Sequence, residues 1–504
     1  MTQLFAGIDS GTQSTKVLLV DADGAVHGRG SAPHAMIEGL PAGAKEQHAA
    51  GWWDATVAAM QEALRGVDAA SVVALGVSGQ QHGFVPLDAD GAPLRAAKLW
   101  CDTATATEAD EIVAACGGAA AYFDLVGQSL AVGFTASKIL WLKKHEPRNF
   151  ERLATVLLPH DYLNFRLTGQ RTMEWGDASG TGLMDVRARA WRREVVDAID
   201  ASLMGKLPAL RPSPEPAGML HAAAARELGL REGILVASGG GDNMMGAIGT
   251  GNVRPGVVTV SLGTSGTVHA CCDAPVLDPG GEIAGFCDST GRWLPLLCTM
   301  NVTVATELVA RLFGLTTAQL NDRAASVPAG CDGLMLLPYF EGERVPAIPD
   351  GTGVWFGARA ANATPGHHAR AAMEGAALGL AHGYARLREL GVAGTELRLT
   401  GGGSKSALWR QIIADCLNAP AVCTTEPEGA ALGAALQAAW ILARQSDPNA
   451  SIETIAARAV RLDESTSVQP DPARATLYQE LLGLHMQLSL ALRPSFARHR
   501  ALVS

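Results

Sequence analysis

The chain begins with short apolar runs separated by polar turn residues. Residues 4–8 and 17–20 are apolar, residues 9–16 between them are polar or small, and residues 21–24 lead into a third run. Short apolar runs bounded by Gly, Asp and Ser are typical of β-strands joined by tight turns. The pattern predicts a three-stranded meander at the start of the chain.

Three later apolar runs each end in a glycine-rich polar stretch. Residues 72–77 precede Ser-Gly-Gln-Gln-His-Gly, the run around Val236 leads into Ser-Gly-Gly-Gly-Asp-Asn, and residues 257–262 precede Gly-Thr-Ser-Gly-Thr. The last of these repeats the strand–turn–strand pattern of the opening hairpin. Its position at the start of the second half favours two related domains, although so short a likeness also arises by chance.

Helical periodicity fills much of the remaining chain. It predicts helices at residues 135–145 and 161–166 and two more in the later half. Strands that alternate with helices favour an α/β fold. In the first of the later helices, the predicted apolar face consists of Met373, Ala377, Leu380, Tyr384 and Leu387. In the second, it consists of Leu408, Ile412 and Cys416 in one row and Trp409, Ile413 and Leu417 in the next. Ser404 is the expected N-cap of the second helix.

A linker of sequence Gly-Asn-Val-Arg-Pro-Gly provides the best domain boundary. It gives an N-terminal domain of residues 1–250 and a C-terminal domain of residues 251–504. The C-terminal domain is expected to have a core to about residue 445 and then a tail of helices that pack on it.

Composition and charge narrow the class of protein. Of the 504 residues, 48% are hydrophobic and 18% are charged, and the formal net charge is −10. This is typical of a compact globular protein, and basic residues that occur at most in pairs argue against nucleic-acid binding. No apolar run reaches the roughly 18 residues that a membrane span needs, and no signal peptide is recognisable, so we expect a cytoplasmic protein. The nine cysteines, without a Cys-x-x-Cys pair, are expected to be reduced thiols rather than a zinc or redox site.

The polar stretch between the first two apolar runs is a candidate phosphate-binding hairpin. Such a hairpin needs glycine for close backbone approach, hydroxyl and N–H donors for phosphate oxygens, and a carboxylate for hydrated Mg²⁺. An ordinary polar turn has a similar composition, and Lys16 is equally compatible with a solvated strand residue. The candidate residues are Asp9, Gly11, Thr12, Ser14, Thr15 and Lys16.

Two loops of the second half are candidates for the rest of a nucleotide site. One matches the first hairpin, and two such turns would hold a triphosphate from both domains. The other follows a predicted strand and would let an adenine ring lie against the backbone. Each also fits an ordinary turn, but neither a G-x-G-x-x-G nor a G-x-x-x-x-G-K-[ST] motif occurs, which argues against Rossmann and P-loop folds. The residues are Gly263, Thr264 and Ser265 in the first loop and Gly402, Gly403 and Ser404 in the second.

A carboxylate on a glycine-lined loop is the candidate catalytic base. Asp242 and Asn243 follow three consecutive glycines at the end of a predicted strand. Such a carboxylate accepts the proton of an attacking hydroxyl, and the glycines allow a γ-phosphate to approach. The same pattern fits a tight turn in which Asp242 caps the next helix.

At this point the sequence resembles the FGGY family of carbohydrate kinases. Residues 133–145 (Gly-Phe-Thr-Ala-Ser-Lys-Ile-Leu-Trp-Leu-Lys-Lys-His) are similar to the family's N-terminal signature, and the motifs follow one another in the family's order. The resemblance implies two ribonuclease-H-like domains of the actin-like ATPase type with an interdomain cleft. ATP would bind mainly to the C-terminal domain and sugar mainly to the N-terminal one, and domain closure would join them. Homologues are commonly homodimers.

Four stretches are similar to those of family members that phosphorylate D-xylulose. They are residues 79–83, 99–102, 158–163 and 342–346. Gln81 stands where such members usually have Met, and Cys101 where they usually have Asn, with no Arg shortly after. Both departures lie near the expected sugar pocket.

The resemblance implies a mechanism and a set of residue roles. Asp242 would accept the proton of the sugar O5 hydroxyl while that oxygen attacks the ATP γ-phosphate, and Asp9 would organise Mg²⁺. The hairpin hydroxyls and Thr264 would donate to phosphate. The sugar-binding residues would be Gln81, His82, Trp100, Asp102, Asp242 and Asn243.

Other functions remain open at this level. Another substrate of the same family, such as L-ribulose, a ketohexose, glycerol or gluconate, is the nearest alternative. An actin-like ATPase without sugar chemistry is the alternative of a different class, and a sugar sensor without catalysis is disfavoured because Asp9 and Asp242 are both present.

Overall fold

The computed structural model describes residues 2–503, which form two compact units. The chain leaves the first unit at Arg254, close to the predicted boundary at residues 250/251, but it returns to that unit twice. The linker predicted two domains that are each continuous in sequence, whereas each unit of the structure is built from three separate segments of the chain. The first unit comprises Met1–Arg254, Cys271–Leu294 and Glu428–Arg461, and the second comprises Pro255–Ala270, Pro295–Pro427 and Leu462–Ser504.

The described residues from 2 to 250 contain fifteen strands and ten α-helices. The strands are β1 (Leu4–Ser10), β2 (Ser14–Val20), β3 (Val26–Pro33), β4 (Glu46–Gln47), β5 (Val72–Gly79), β6 (Val85–Leu87), β7 (Ala97–Lys98), β8 (Thr155–Leu157), β9 (Thr172–Glu174), β10 (Met184–Asp185), β11 (Ala190–Trp191), β12 (Ala209–Arg211), β13 (Pro216–Met219), β14 (Leu235–Ala237) and β15 (Gly240–Gly241). The helices are α1 (Ala49–Ala63), α2 (Ala106–Ala115), α3 (Ala119–Val126), α4 (Thr135–His145), α5 (Pro147–Arg152), α6 (Pro159–Thr168), α7 (Trp175–Ser179), α8 (Arg193–Ile199), α9 (Ala222–Leu228) and α10 (Asp242–Gly249).

The second half continues the alternation of strands and helices. The strands are β16 (Gly256–Leu262), β17 (Gly266–Ala270), β18 (Ala284–Cys287), β19 (Trp293–Thr299), β20 (Met335–Pro338), β21 (Gly353–Phe356), β22 (Gly394–Thr400), β23 (Ala421–Thr424) and β24 (Leu462–Val468). The helices are α11 (Thr303–Phe313), α12 (Thr317–Ala325), α13 (Pro365–Glu389), α14 (Ala407–Leu417), α15 (Gly429–Arg444), α16 (Ile452–Ala459) and α17 (Pro472–Val503). Short 3₁₀ turns lie at Ala69–Ser71, Leu203–Lys206, Cys331–Gly333 and Gly402–Lys405.

The first unit is built on a sheet that opens with the predicted meander. Its strands lie in the order β13-β14-β5-β1-β2-β3, and β15 also pairs with β5. β1 is antiparallel to β2 but parallel to β5, and β5 is parallel to β14. The meander and the strand predicted at residues 72–77 are confirmed.

The sheet of the second unit repeats this arrangement. Its strands β19, β17, β16, β22, β23 and β24 are neighbours in that order. β16 is antiparallel to β17 and parallel to β22, just as β1 is antiparallel to β2 and parallel to β5. The prediction of two related α/β domains is thereby confirmed.

Helix α15 belongs to the first unit because its backbone lies directly on that unit's sheet. A Cβ atom at Gly7 would lie 1.8 Å from the carbonyl oxygen of Ala431, and one at Gly76 would lie 2.0 Å from that of Ala434. Such distances are possible only for glycine. Small residues on both elements thus bring a helix from late in the chain onto the two central strands, while α1 covers the opposite face through Trp52 and neighbouring apolar residues.

The helical predictions hold with two corrections. The predicted apolar face of α13 is fully buried. The cap of α14 is Ser406, whose hydroxyl accepts from the Trp409 N–H, whereas Ser404 lies in the preceding 3₁₀ turn and bonds to the carbonyl of Gly401. The tail after residue 445 is not only helical, because β24 joins the sheet of the second unit through pairing with β23. Among the described residues, no helix is long and apolar enough to cross a membrane.

Candidate active site

The two carboxylates predicted to carry the chemistry lie at one end of the first unit's sheet. Asp9 is near the end of β1, where it is opposite Ser78 of the parallel strand β5. Gly240 and Gly241 of β15 are opposite Ser78 and Gly79 from the other side, and Asp242 follows at once. Because the carboxyl ends of parallel strands meet at the same edge, the structure brings Asp9 and Asp242 together across β5.

Burial raises the pKa values of both groups, and the charge of Asp9 further raises that of Asp242. Burial is the main cause that raises the pKa of Asp242 to about 7, and the charge of Asp9 adds to it. Burial also raises the pKa of Asp9 to about 6, against the lowering effects of a hydrogen bond from Ser78 (2.7 Å) and the charge of Lys16. A carboxyl group with a pKa near neutral pH is well suited to accept and release a proton there.

Asp242 is held at the first position of α10. Its Oδ1 atom accepts hydrogen bonds from the backbone N–H of Asn243 (2.8 Å) and from the Nδ2 of the same residue (3.0 Å). The cap of the helix is Gly241, so the alternative in which Asp242 caps the helix is wrong. Because Oδ1 accepts both hydrogen bonds, Oδ2 is the carboxylate oxygen of Asp242 that is suited to accept a proton from a substrate hydroxyl.

Gln81, a predicted sugar-binding residue, lies beside the start of α10. Its Oε1 accepts from Asn243 Nδ2 at 2.8 Å, and its side chain packs so closely on Gly241 that a Cβ there would lie 2.5 Å from Gln81 Cγ. Among the described residues, the buried Nε2 of Gln81 has no hydrogen-bond partner. A buried amide donor without a partner costs free energy, so this atom is a strong candidate for a contact to a substrate hydroxyl.

His82 is fixed in an unusual backbone conformation next to Gln81. Its φ is 62°, in the left-handed region that few non-glycine residues adopt. The carbonyl oxygen of His82 accepts from Lys138 Nζ (2.7 Å) and Thr135 Oγ1 (3.2 Å), both in the signature segment on α4. Its ring Nδ1 bonds to the Gly180 carbonyl at 2.9 Å, which makes Nδ1 the protonated nitrogen.

The opening hairpin is anchored by side chains that the sequence did not assign to it. Trp100 Nε1 donates to Thr12 Oγ1 (3.1 Å), and Gln47 Nε2 donates to the Thr12 carbonyl (2.7 Å). Gln47 in turn accepts from Gln80, which follows β5. The predicted sugar residue Trp100 is therefore joined directly to a predicted phosphate residue.

Two hairpin predictions need correction. Thr15 is fully buried, and its hydroxyl donates to Ser10 Oγ at 3.2 Å, because side chains alternate along β2 and this one faces the core. It cannot donate to a phosphate from there. Lys16 faces outward with Ser14, but its Nζ forms a 2.6 Å ion pair with Glu428, so it is neither a simple solvated residue nor an uncommitted cation.

Asp102 is also not a direct sugar ligand. Its carboxylate is fully buried and accepts from Lys98 Nζ (3.0 Å), from the backbone N–H of Lys45 (2.9 Å) and from that of Ala104 (3.1 Å). Its role in this structure is to hold the loop that carries Trp100.

The predicted nucleotide residues of the second unit lie together at one edge of its sheet. Ser261 of β16 is opposite Thr400 of β22, so the turn at residues 263–265 and the loop at residues 402–404 follow neighbouring parallel strands. The carbonyl groups of Gly263 and Thr264 accept hydrogen bonds from the backbone N–H groups of Thr303 and Val302 at the start of α11. Gly402 is exposed, while Gly403 and Ser404 are buried.

A metal would have to be held with few protein ligands. Within residues 2–503, no group of three or more His, Cys, Asp or Glu side chains is arranged to bind an ion. Mg²⁺ in phosphate-transferring enzymes typically keeps several waters and uses one or two carboxylates together with substrate phosphates. Asp9, half-buried at the strand end beside the hairpin, fits that requirement.

A buried charged cluster behind the site was missed by the sequence analysis. His160 Nδ1 lies 2.6 Å from Asp177 Oδ2, and its Nε2 lies 3.0 Å from Asp161 Oδ1, with Glu174 nearby. Burial lowers the pKa of His160, but these carboxylates outweigh it and raise the pKa to about 9. Only the stretch at residues 158–163 gave a signal, through its resemblance to kinases, while Asp177 and Glu174 belong to no recognisable motif.

On this fold, the chemistry that the site supports is transfer of a phosphoryl group to an alcohol. Family comparison agrees: the model of the N-terminal domain of the FGGY family of carbohydrate kinases matches residues 4–249, and that of its C-terminal domain matches residues 258–442. The chain belongs to the FGGY family of carbohydrate kinases. The ribonuclease-H-like, actin-like ATPase fold expected for this family is confirmed.

Individual relatives cover nearly the whole chain. A xylulose kinase of Haemophilus influenzae is 40% identical over 485 residues, which is 94% of this chain and 97% of that protein. A xylulose kinase of Streptomyces rubiginosus is 40% identical over 473 residues, covering 92% and 94% of the two chains. The crystal structure of xylulose kinase from Rhodospirillum rubrum is similar with a TM-score of 0.88 and 29% identity, over 98% of this chain and all of that one.

Proposed function

We propose that this protein transfers the γ-phosphoryl group of ATP to the O5 hydroxyl of D-xylulose. The relatives that are 40% identical over more than nine-tenths of the chain are xylulose kinases, which supports this substrate over the others of the family. A cytoplasmic location and a homodimeric state remain predictions from the sequence.

The proposed catalytic base is Asp242. The sugar hydroxyl oxygen forms a bond to the γ-phosphorus, the bond from that phosphorus to the β–γ bridging oxygen breaks, and ADP leaves with the electron pair. Asp242 Oδ2 receives the hydroxyl proton, while Asn243 holds Oδ1. The single observation that carries the proposal is that the strand pairing brings Asp242 and Asp9 to the same edge of the sheet, one on each side of β5.

Sugar binding is proposed for the residues around Asp242. The unpaired Nε2 of Gln81 donates to a sugar hydroxyl, and Asn243 contacts the same side chain. His82, the next residue along the chain, is kept as a proposed sugar ligand on the resemblance alone. Trp100, tied to Thr12, adds an apolar face against the sugar carbons. Asp102 is left out of this set because its fully buried carboxylate already accepts from Lys98 and from the backbone N–H groups of Lys45 and Ala104.

Phosphate binding is proposed for the hairpin residues that are exposed or half-buried. In the first hairpin these are Gly11, Thr12 and Ser14, and in the second unit they are Gly263, Thr264 and Ser265, with the loop of Gly402, Gly403 and Ser404 for adenine. When bound, Mg²⁺ would neutralise phosphate charge, with Asp9 as its carboxylate partner.

An ADP-release assay tests the substrate. Purified protein with Mg·ATP is offered D-xylulose, L-ribulose, D-fructose, glycerol and gluconate in turn. We expect strong stimulation by D-xylulose alone. Stimulation by a different sugar would contradict the substrate and keep the chemistry, whereas ATP hydrolysis that no sugar increases would contradict the kinase assignment.

A further inference from the structure

The loop that carries Asp242 has almost no side chains of its own to hold it. Residues 239–241 are all glycine, and Gly239 has a φ of 71°, in the left-handed region. Glycine loses more conformational freedom on folding than any other residue, so such a loop stays ordered only if its surroundings hold it. Any looseness here would move Asp242, three residues further on.

One side chain from late in the sequence holds this loop by hydrogen bonds. Gln437 of α15 accepts from the backbone N–H of Gly239 at 2.9 Å and donates from Nε2 to the carbonyl of the same residue at 3.1 Å. The same Nε2 donates to the Ser289 carbonyl at 3.0 Å. The side chain is fully buried, so its carboxamide satisfies three backbone groups that no water reaches.

The helix that carries Gln437 also holds α10, which Asp242 begins. A Cβ atom at Gly249 would lie 1.8 Å from the Gly429 carbonyl oxygen, and one at Gly433 would lie 1.8 Å from that of Met245. The two helices therefore pack backbone to backbone. Helix α15 thus fixes both sides of Asp242, the helix after it by glycine packing and the loop before it by Gln437.

We infer that Gln437 is a positioning residue for the proposed base Asp242. It touches no substrate and acts by fixing Gly239, 198 residues earlier in the chain. The inference rests on the proposed role of Asp242. A side chain without hydrogen-bonding groups cannot replace Gln437 without loss. It would leave the Gly239 N–H and the Ser289 carbonyl without the partner that Gln437 provides, and the Gly239 carbonyl with only the 3.5 Å bond from Ser238 Oγ.

The first test is Gln437→Met, which keeps the size of the side chain and removes all three hydrogen bonds. We expect kcat with D-xylulose to fall about 10- to 100-fold, the effect of misplacing a reacting group, with KM for Mg·ATP little changed. Hydrogen exchange of the peptide that contains Gly239 should accelerate. Ile441→Ala, one turn further along α15, is the matched control, since it removes buried packing and leaves the three hydrogen bonds of Gln437 in place.

A double-mutant cycle separates this role from general destabilisation. If Gln437 acts through Asp242, adding Gln437→Met to Asp242→Asn should lower the residual turnover by less than about two-fold. Gln437→Glu, which keeps the acceptor for the Gly239 N–H, is the second variant if Gln437→Met does not fold, and its kcat should also fall.

The outcomes distinguish the two proposals. An inactive Asp242→Asn together with full turnover in Gln437→Met or Gln437→Glu would overturn the role of Gln437 alone. The same loss of kcat in Ile441→Ala as in Gln437→Met would overturn it too. Normal turnover in Asp242→Asn would overturn the base itself, and the role of Gln437 with it.

Discussion

Asp9 and Asp242 lie at the carboxyl-end edge of one sheet, one on each side of β5, and the charge of Asp9 helps to raise the pKa of Asp242 to about 7. Two carboxylates that both resist ionisation are unfavourable for stability. They are favourable for a reaction in which one must take a proton near neutral pH and the other must face a cation.

Asp242→Asn should lower kcat about 10²- to 10⁴-fold, the usual contribution of a positioned proton acceptor. The amide keeps the shape and the hydrogen bonds to Asn243, so binding of D-xylulose should survive. Turnover is measured by ADP release and sugar binding by calorimetry. The control is Asp54→Asn, a change at an exposed residue of α1, and it should behave as the parent protein. Near-normal turnover in Asp242→Asn would exclude Asp242 as the base.

The same substitution should stabilise the protein at alkaline pH. The folded-state pKa of Asp242 is raised from 3.8 to about 7, so the folded state binds this proton more tightly than the unfolded state. The stability that this group contributes is full below its unfolded pKa and is lost as the pH rises through about 7. Asparagine cannot ionise. The melting temperature of Asp242→Asn should therefore exceed that of the parent more at pH 8 than at pH 5, and an equal difference at both would contradict the raised pKa.

Asp9→Ala should weaken the use of Mg·ATP. The change removes the one carboxylate proposed to face the cation and leaves Ser78 and the hairpin in place. We expect the Mg²⁺ concentration for half-maximal turnover to rise, with KM for D-xylulose changed less. A titration of Mg²⁺ at fixed ATP measures this, and Asp23→Ala, at the exposed turn after β2, is the control. An unchanged Mg²⁺ requirement in Asp9→Ala would rule out the role.

Local sequence was enough to find the strand ends and their glycine loops. The chemistry of Asp9 and Asp242 depends on residues within a few positions of a strand end, which periodicity and glycine reveal. Thr15 could also have been placed correctly, because the alternation along β2 that turns Ser14 and Lys16 outward turns Thr15 inward.

Contacts between distant segments could not be predicted in this way. Lys16 pairs with Glu428, and Gln437 holds Gly239, across separations of 412 and 198 residues. Neither partner carries a local pattern that marks it. Both depend on α15 returning to the first sheet, which follows from glycine contacts that only the folded backbone shows.

A substitution at Asp102 distinguishes the sugar-binding role predicted from the sequence from the structural role that its contacts indicate. If Asp102 bound the sugar, its substitution would raise KM for D-xylulose. Because Asp102 is instead a buried partner of Lys98, we expect its substitution to lower the stability of the protein. Asp102→Asn leaves the buried Lys98 ammonium with Glu46 at 3.2 Å as its carboxylate partner. Removing one member of a buried ion pair typically costs about 3 kcal/mol. We expect the free energy of unfolding, measured in urea, to fall by about that amount, while KM for D-xylulose changes less than about two-fold at a temperature where the variant is folded. Asp197→Asn, whose ion pair with Arg193 is exposed on both sides, should cost less than about 1 kcal/mol. Unchanged stability of Asp102→Asn together with a large rise in KM would return Asp102 to the sugar site.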